Sequence, residues 1–431
     1  MATIPSVKGT RDFYPEELAI RRWLYEHIRA VSESFGYQEY DGPFLERLEL
    51  YAAKSGEELV KEQSFVFPDR GGDLVALRPE LTLSLARMVA QRSKSLPQPI
   101  RWWSFGPFWR YERPQKGRTR EFFQWNIDLV GVESPEADAE IAAIGASFFR
   151  SVGLGPEAIR ILVNDRRLAE RQLDAMGIPA ALRPTVFRLI DRREKLAPQA
   201  WSAYALEVGL SSEQLQDLRA MLENREAWRG SSELVAFFAA ADALGVRDYL
   251  AYDPTVIRGL DYYTGMVFEA RDAAGEHRAI LGGGRYDNLV RDVGGDRLPG
   301  TGFAMGDVVL GLVLEAAGIR PALRTCPSHV LVTTFDAETR PASLSLCQEL
   351  RRSGLRVEWY PEPGKMPRQL KYADRLDIPV VAILGPDELQ ADTVTLKHHP
   401  SGRQISCPRG QAGEQANALC AASGTALPSV V

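Results

Sequence analysis

The chain contains no run of about eighteen apolar residues, so a membrane-spanning helix is not expected. Its first residues, MATIPSVKGTRDFYPEE, lack the apolar core of a signal peptide. Cysteine is scarce: Cys326, Cys347, Cys407 and Cys420 all fall in the last quarter, with no CxxC pair. Histidine is equally sparse, and His27, His277, His329, His398 and His399 form no HxxxH. A zinc site needs clustered thiolates and imidazoles, so no metal bound by His or Cys is expected, and the cysteines read as reduced thiols of a cytoplasmic protein. Neither a glycine-rich loop ending in GK[ST] nor a GxSxG turn occurs, which argues against a P-loop ATPase and a covalent serine hydrolase. Excess positive charge is also missing. The formal net charge of −5 disfavours a general nucleic-acid binder but leaves room for one nucleic-acid partner held by local basic patches.

What is present is an ordinary globular composition, 45% hydrophobic and 25% charged over 431 residues, enough for two or three domains. A helix is predicted over 16–35. Pro15 suits its start, Glu16 and Glu17 suit its positive end, Leu24, Ile28, Val31 and Phe35 make one stripe, and Gly36 ends it. An extended stretch with a proline at Pro43 follows. Over 100–131 a hairpin is expected. Its second strand alternates Phe123, Trp125, Ile127 and Leu129 with Gln124, Asn126 and Asp128. The preceding strand carries Arg110 and Glu112, and the loop between holds Arg113, Lys116 and Arg118. A polar face beside a basic loop fits the floor of a pocket for a phosphate-bearing ligand better than a solvated surface.

Residues 165–250 read as several helices, NDRRLAERQLDAMGI and SSELVAFFAAADALGV among them. Beyond Arg324–Pro327 the pattern becomes compact α/β: SHVLVTTF and PVVAILG as buried strands, with helices at about 340–353 and 366–376. The second of these helices places Arg368, Lys371 and Arg375 on one face, either a solvated surface or an RNA-facing stripe. The residues after Cys420 are small and polar and are expected to form a flexible tail.

Two strings carry the most chemistry. RGLDYYTG, at 258–265, sets Arg258 beside Tyr262 and Tyr263 in a turn, and LGGGRYDN, at 281–288, strips three successive side chains so that backbone can approach a ligand. In this order they resemble the signature pair of histidyl-tRNA synthetases, and the resemblance extends from Gly9 into the C-terminal part. It implies an α+β fold: a class II synthetase antiparallel sheet flanked by helices, with a helical insertion and a C-terminal α/β anticodon-binding domain. The expected boundaries are 1–325 for the catalytic domain, about 165–250 for the insertion within it, 326–420 for the anticodon-binding domain and 421–431 for the tail. The insertion is either a structural subdomain or a contact to the tRNA acceptor arm.

The implied activity is that of a histidine–tRNA ligase, which activates L-histidine with ATP and Mg²⁺ and loads it onto tRNA(His), as a cytoplasmic homodimer. Segment 100–131 resembles class II motif 2, and by that resemblance Arg110 and Arg258 are the catalytic cations. LRPELT resembles the amino-acid-binding segment, placing Glu80 and Thr82 on the histidine ammonium. Gln124, Asp128, Tyr262, Tyr263, Gly283 and Tyr286 complete the histidine site, Asp128 facing the ring where the family usually carries glutamate. ATP would meet Arg110, Glu112, Arg118 and Arg258. The tRNA would meet Arg113, Lys116 and Arg118 in the motif 2 loop and Arg368, Lys371 and Arg375 in the C-terminal domain. Motif 3 departs from the family: GFAMGDVVLG puts Val308 and Val309 where Glu-Arg normally stands. A catalytically silent relative, the synthetase-like regulatory subunit of ATP phosphoribosyltransferase, is the alternative that this departure favours. Arg258, Arg110 and the full C-terminal domain oppose it.

Overall fold

The computed structural model describes residues 3–52, 63–257, 262–319, 321 and 323–422. Two compact units emerge, one of Met1–Asp12 with Arg21–Pro321, the other of Phe13–Ile20 with Ala322–Val431. The expected first helix is Pro15–Ser34, with Leu24, Ile28 and Val31 buried, and Gly36 behind it takes the left-handed φ of +80° that ends a helix cheaply.

Strands of the first unit are β1 (Gln38–Glu39), β2 (Leu45–Arg47), β3 (Val66–Pro68), β4 (Leu74–Leu77), β5 (Ile100–Trp109), β6 (Glu121–Val130), β7 (Ile159–Asp165), β8 (Leu250–Tyr252), β9 (Met266–Asp272), β10 (Leu281–Arg285) and β11 (Gly300–Gly306). Eight of them form one sheet in the order β1-β5-β6-β11-β10-β9-β7-β8, while β2, β4 and β3 form a small separate sheet. From β5 across to β7 every pairing is antiparallel, and only the outermost pairs, β1 with β5 and β7 with β8, are parallel. One face of the large sheet is dry. Trp103, Trp125, Ile127, Phe268 and Phe303 pack there with Ile141, Ile144 and Phe148 of helix Pro135–Ser151. That helix starts where its sequence says it should, with Ser134 accepting from the Ala137 amide and Pro135 in the first turn.

The hairpin departs from expectation at one point. Strand β5 stops at Trp109, so Arg110 and Glu112 follow the strand instead of lying on it. The Arg110 amide still donates to the Arg120 carbonyl at 2.9 Å, but the Glu112 amide bonds back to the Arg110 carbonyl at 2.8 Å, turning the chain ahead of Pro114. A proline cannot donate to a ladder, and pairing ends before it.

Helices occupy 166–243 as predicted, but they serve two cores. Leu173, Val186, Leu189, Trp201, Leu218 and Leu222 form a cluster of their own. Helix Ser232–Ala243, expected to belong to the insertion, instead buries Leu234, Phe237 and Phe238 in the main sheet core. It buries one stripe, Leu234, Phe237, Phe238 and Ala241, and leaves Val235 exposed on the other side.

In the second unit β12 (Val330–Val332), β13 (Val357–Trp359), β14 (Val380–Ile383), β15 (Thr393–His398) and β16 (Gln404–Pro408) form a sheet in the order β13-β12-β14-β15-β16. The first three are parallel and β15 and β16 antiparallel. Helices Arg340–Arg352 and Met366–Arg375 lie close to their predicted limits. Helix Ala412–Ala422 carries the chain past Cys420, and the rest of the expected tail, 423–431, lies outside the described residues.

Candidate active site

The other face of the large sheet is cleared by small residues. In register, Gln124, Asn126 and Asp128 of β6 stand opposite Gly306, Ala304 and Gly302 of β11. A methyl at Gly302 would collide with Asp128 Oδ1 and the Ile127 carbonyl, so only glycine lets the carboxylate lie there. The three polar residues are nearly wholly buried, and they floor a cavity of about 230 Å³ instead of meeting solvent. Its walls include Glu80, Thr82, Arg110, Tyr262, Tyr263, Gly282 and Tyr286.

Several residues of the floor and walls hold one another in place. Tyr262 Oη donates to Glu80 Oε2 at 3.2 Å, and Gln124 Nε2 donates to Asn126 Oδ1 at 2.8 Å. Tyr286 Oη donates to Asp128 Oδ1, while Asp128 Oδ2 is buried with no hydrogen-bond partner among the described residues. Burial pushes the Asp128 carboxyl up to about 7, against the opposing pull of the Tyr286 hydroxyl. A carboxylate with one fixed and one open oxygen is built to accept a hydrogen bond from a ligand. Asn126 lies on the polar face that the alternation of β6 predicts, yet the family resemblance assigns it no role, and that alternation is the one signal for it.

A second cavity, of about 950 Å³, adjoins the first. Arg110, Phe122, Ala279 and Gly306 line both. Arg110 is thus at the junction, its Nε donating to the Pro79 carbonyl at 3.0 Å and its guanidinium 5.2 Å from the Phe122 ring centre. Burial lowers its pKa, opposed by the nearby charges of Glu112 and Glu80. The larger cavity is rich in charge: Glu112, Arg118, Glu194, Lys195, Glu269, Arg271 and Arg278 line it, along with the apolar Val308 and Val309.

Arg118 is paired with Glu112, whereas Arg113 and Lys116 are exposed on the loop outside both cavities. Arg258 lies outside the described residues, as do the next three positions of RGLDYYTG. Gly283, expected to be a point of ligand approach, is not in either cavity lining. A methyl there would strike the Gly302 carbonyl and the Phe268 ring, so its smallness serves the dry side of the sheet, and Gly282 faces the cavity. Alternation along β10 is the reason: neighbours in a strand point to opposite faces. Arg368, Lys371 and Arg375 are all exposed along helix Met366–Arg375 of the second unit.

An antiparallel sheet with a polar, two-chambered face, together with a separate mixed sheet, is the architecture of a class II aminoacyl-tRNA synthetase. The sequence model of the family described as Histidyl-tRNA synthetase matches residues 9–307, and that described as Anticodon binding domain matches 329–418. The chain belongs to the histidyl-tRNA synthetase family. It is 38% identical to a histidine–tRNA ligase of Haloarcula marismortui over 94% of this chain and 95% of that one. It is 39% identical to the histidine–tRNA ligase of Opitutus terrae over 95% and 97%. The crystal structure of histidyl-tRNA synthetase from a Nostoc species is similar with a TM-score of 0.80 at 26% identity, covering 97% of this chain and all of that one.

Proposed function

We infer that this chain is a histidine–tRNA ligase, which joins L-histidine to ATP as histidyl-adenylate and then transfers the histidyl group to the 3′ end of tRNA(His). One observation carries the reading: a small cavity with an open buried carboxylate adjoins a large charged one, and Arg110 is at their junction. In the first step the histidine carboxylate attacks the α-phosphorus of ATP and pyrophosphate leaves. The nucleophile is already an anion, so no general base is required. The site must align two anions and stabilise the charge that develops between them. Arg110 is placed for that at the junction, with Arg258 as the second cation proposed from sequence.

Glu80 and Thr82 receive the ammonium, Glu80 being held by Tyr262. Asp128 accepts from an imidazole N–H, with Tyr286 fixing its other oxygen. Gln124 and Tyr263 complete the small chamber. Phosphates occupy the larger one with Arg118 and Glu112. Carboxylates of Glu112 and Glu269 offer the hard oxygens that suit Mg²⁺, which usually takes only one or two protein ligands beside phosphate and water. Such an ion would neutralise the triphosphate and help pyrophosphate leave. Arg113, Lys116 and Arg118 face the acceptor end of the tRNA, and Arg368, Lys371 and Arg375 its anticodon end. The protein works as a cytoplasmic homodimer. The small sheet of β2, β4 and β3 leaves Leu45, Val66, Phe67 and Leu74 exposed, apolar surface that a second copy would cover. Among the described residues no helix is long and apolar enough to cross a membrane.

The test is ATP–pyrophosphate exchange with each of the twenty amino acids. Exchange should depend on histidine alone, and exchange with a different amino acid, or with none, would sink the reading. Within it, Asp128→Asn keeps the volume and loses the charge, so KM for histidine should rise about tenfold or more while KM for ATP hardly moves. The same carboxylate predicts a pH dependence. Below about 7 Asp128 is protonated, so KM for histidine should fall as pH rises from 6 to 8. In Asp128→Asn only the titration of the substrate imidazole, near ~6.5, should remain. An unchanged pH profile in the variant would remove Asp128 from ring recognition. Charge reversal at Arg368 and Lys371 should raise KM for tRNA several-fold, a phosphate contact being lost at each site, and leave exchange untouched. Normal charging of tRNA by that variant would make the stripe a solvated face.

A further inference from the structure

The larger cavity has a charge that the motif 2 and motif 3 readings leave without a use. Its anions are each matched: Glu112 with Arg118, Asp191 with Lys195 at 2.7 Å, and Glu194 with Arg271 at 2.7 Å, the same Arg271 also holding Glu269. Two arginines of its lining are in no ion pair among the described residues. One is Arg110 at the junction. The other is Arg278, which immediately precedes the shared wall residue Ala279 and lines the larger cavity only. It makes no hydrogen bond or ion pair with the described residues. Burial and the like charge of Arg118 both lower its pKa, and only Glu112 opposes them. Two arginines without an ion pair, Arg110 and the exposed Arg278, therefore line one space, an arrangement that an anion in that space would relieve.

The wall where the family's motif 3 arginine belongs is apolar in this chain. Val309 lines the same cavity and is partly buried against the main core, and a methyl on Gly117 of the motif 2 loop would lie 3.7 Å from Val309 Cγ2. Val308 and Val309 offer phosphate no charged side chain.

We propose that Arg278 supplies the phosphate-binding cation that motif 3 lacks, gripping the β,γ end of ATP from the loop before β10 while Arg110 attends to the α-phosphate. The inference rests on the synthetase reading and names one more residue of that site. Arginine suits the task because its planar fork can bond two phosphate oxygens at once.

The experiment is exchange kinetics on the full chain and three variants. Histidine-dependent exchange by the unaltered chain comes first, and if that is missing the functional reading itself fails. Given exchange, Arg278→Ala should raise KM for ATP about tenfold or more, the scale of one lost charge-assisted bond. KM for histidine and Tm should stay near their starting values. Arg278→Lys, which keeps the charge but not the fork, should fall between. Val309→Arg combined with Arg278→Ala returns a cation to the motif 3 position of the same cavity and should recover most of the loss. An Arg278→Ala enzyme with unchanged KM for ATP would overturn the proposal, as would equal rises in both KM values with a lowered Tm. If the double variant binds ATP no better than Arg278→Ala, the claim that the one position stands in for the other is overturned.

Discussion

Arg110→Ala is expected to lower histidine-dependent pyrophosphate exchange by about a hundredfold or more, the scale on which a preorganised charge donor acts in a transition state. Its placement gives the reason. It is the one cation lining both cavities among the described residues, and it is oriented by the Pro79 carbonyl and the Phe122 ring. Those contacts fix the guanidinium before substrate arrives, so little reorganisation is needed when charge develops at phosphorus. The loss should appear in kcat more than in KM for histidine, because the proposed contacts to the amino acid are made by Glu80 and Asp128. Arg110→Lys should recover only part of it, since a point charge cannot reproduce the fork. Near-normal exchange in the alanine variant, with a normal Tm, would take Arg110 out of the chemistry.

Arg285→Ala should instead destabilise the fold, by about 3–5 kcal/mol, the usual consequence of removing one partner from a buried pair. Arg285 belongs to the same LGGGRYD string as the cavity glycine, yet it is only 2% exposed and absent from both cavity linings. Its Nε donates to Asp138 at 3.0 Å, and its terminal nitrogens reach the carbonyls of Val132 and Ser134 at 2.9 and 3.0 Å and Asp287 at 3.3 Å. Cutting the side chain strands a carboxylate on helix Pro135–Ser151 that is 1% exposed. Replacing both partners by apolar residues, Arg285→Met with Asp138→Leu, should cost less than either single change, since position 138 then holds no unpaired charge. Denaturant unfolding of the full chain measures this, and specific activity per folded molecule separates it from a catalytic effect. A single variant as stable as the parent would show that the pair is dispensable.

Much of the site is legible in the order of the residues alone. Alternation along 121–130 announces a polar face, and the sequence pattern marks Glu80, Asp128 and the two tyrosines as chemistry-bearing. Arg78 shows what stays hidden. It sits two residues before Glu80 with its side chain fully buried, donating to the Pro107 carbonyl at 2.9 Å and paired with Asp41. Nothing in LRPELT distinguishes that anchor from a ligand contact, because its partners are distant in sequence. Asp307 is similar: it stands within the motif 3 segment GFAMGDVVLG, but its Oδ2 binds Arg11 at 2.8 Å and its Oδ1 accepts from the Phe123 amide at 2.9 Å.

By itself the sequence determined several periodic elements, because helix and strand are written in local spacing: Pro15–Ser34, the strand β6, and the helices Arg340–Arg352 and Met366–Arg375 follow their patterns. The signature strings likewise established the family, since residue types in order are a linear property. Only tertiary structure decided which side of the sheet each residue of LGGGRYD serves, why Gly302 must lack a side chain, and that the helix Ser232–Ala243 joins the main core. It also decided that Arg278 and Val309 share one cavity. Those questions turn on strand register and on contacts between residues far apart in the chain. Local periodicity carries no record of either, because burial, charge pairing and steric exclusion arise only when distant segments meet.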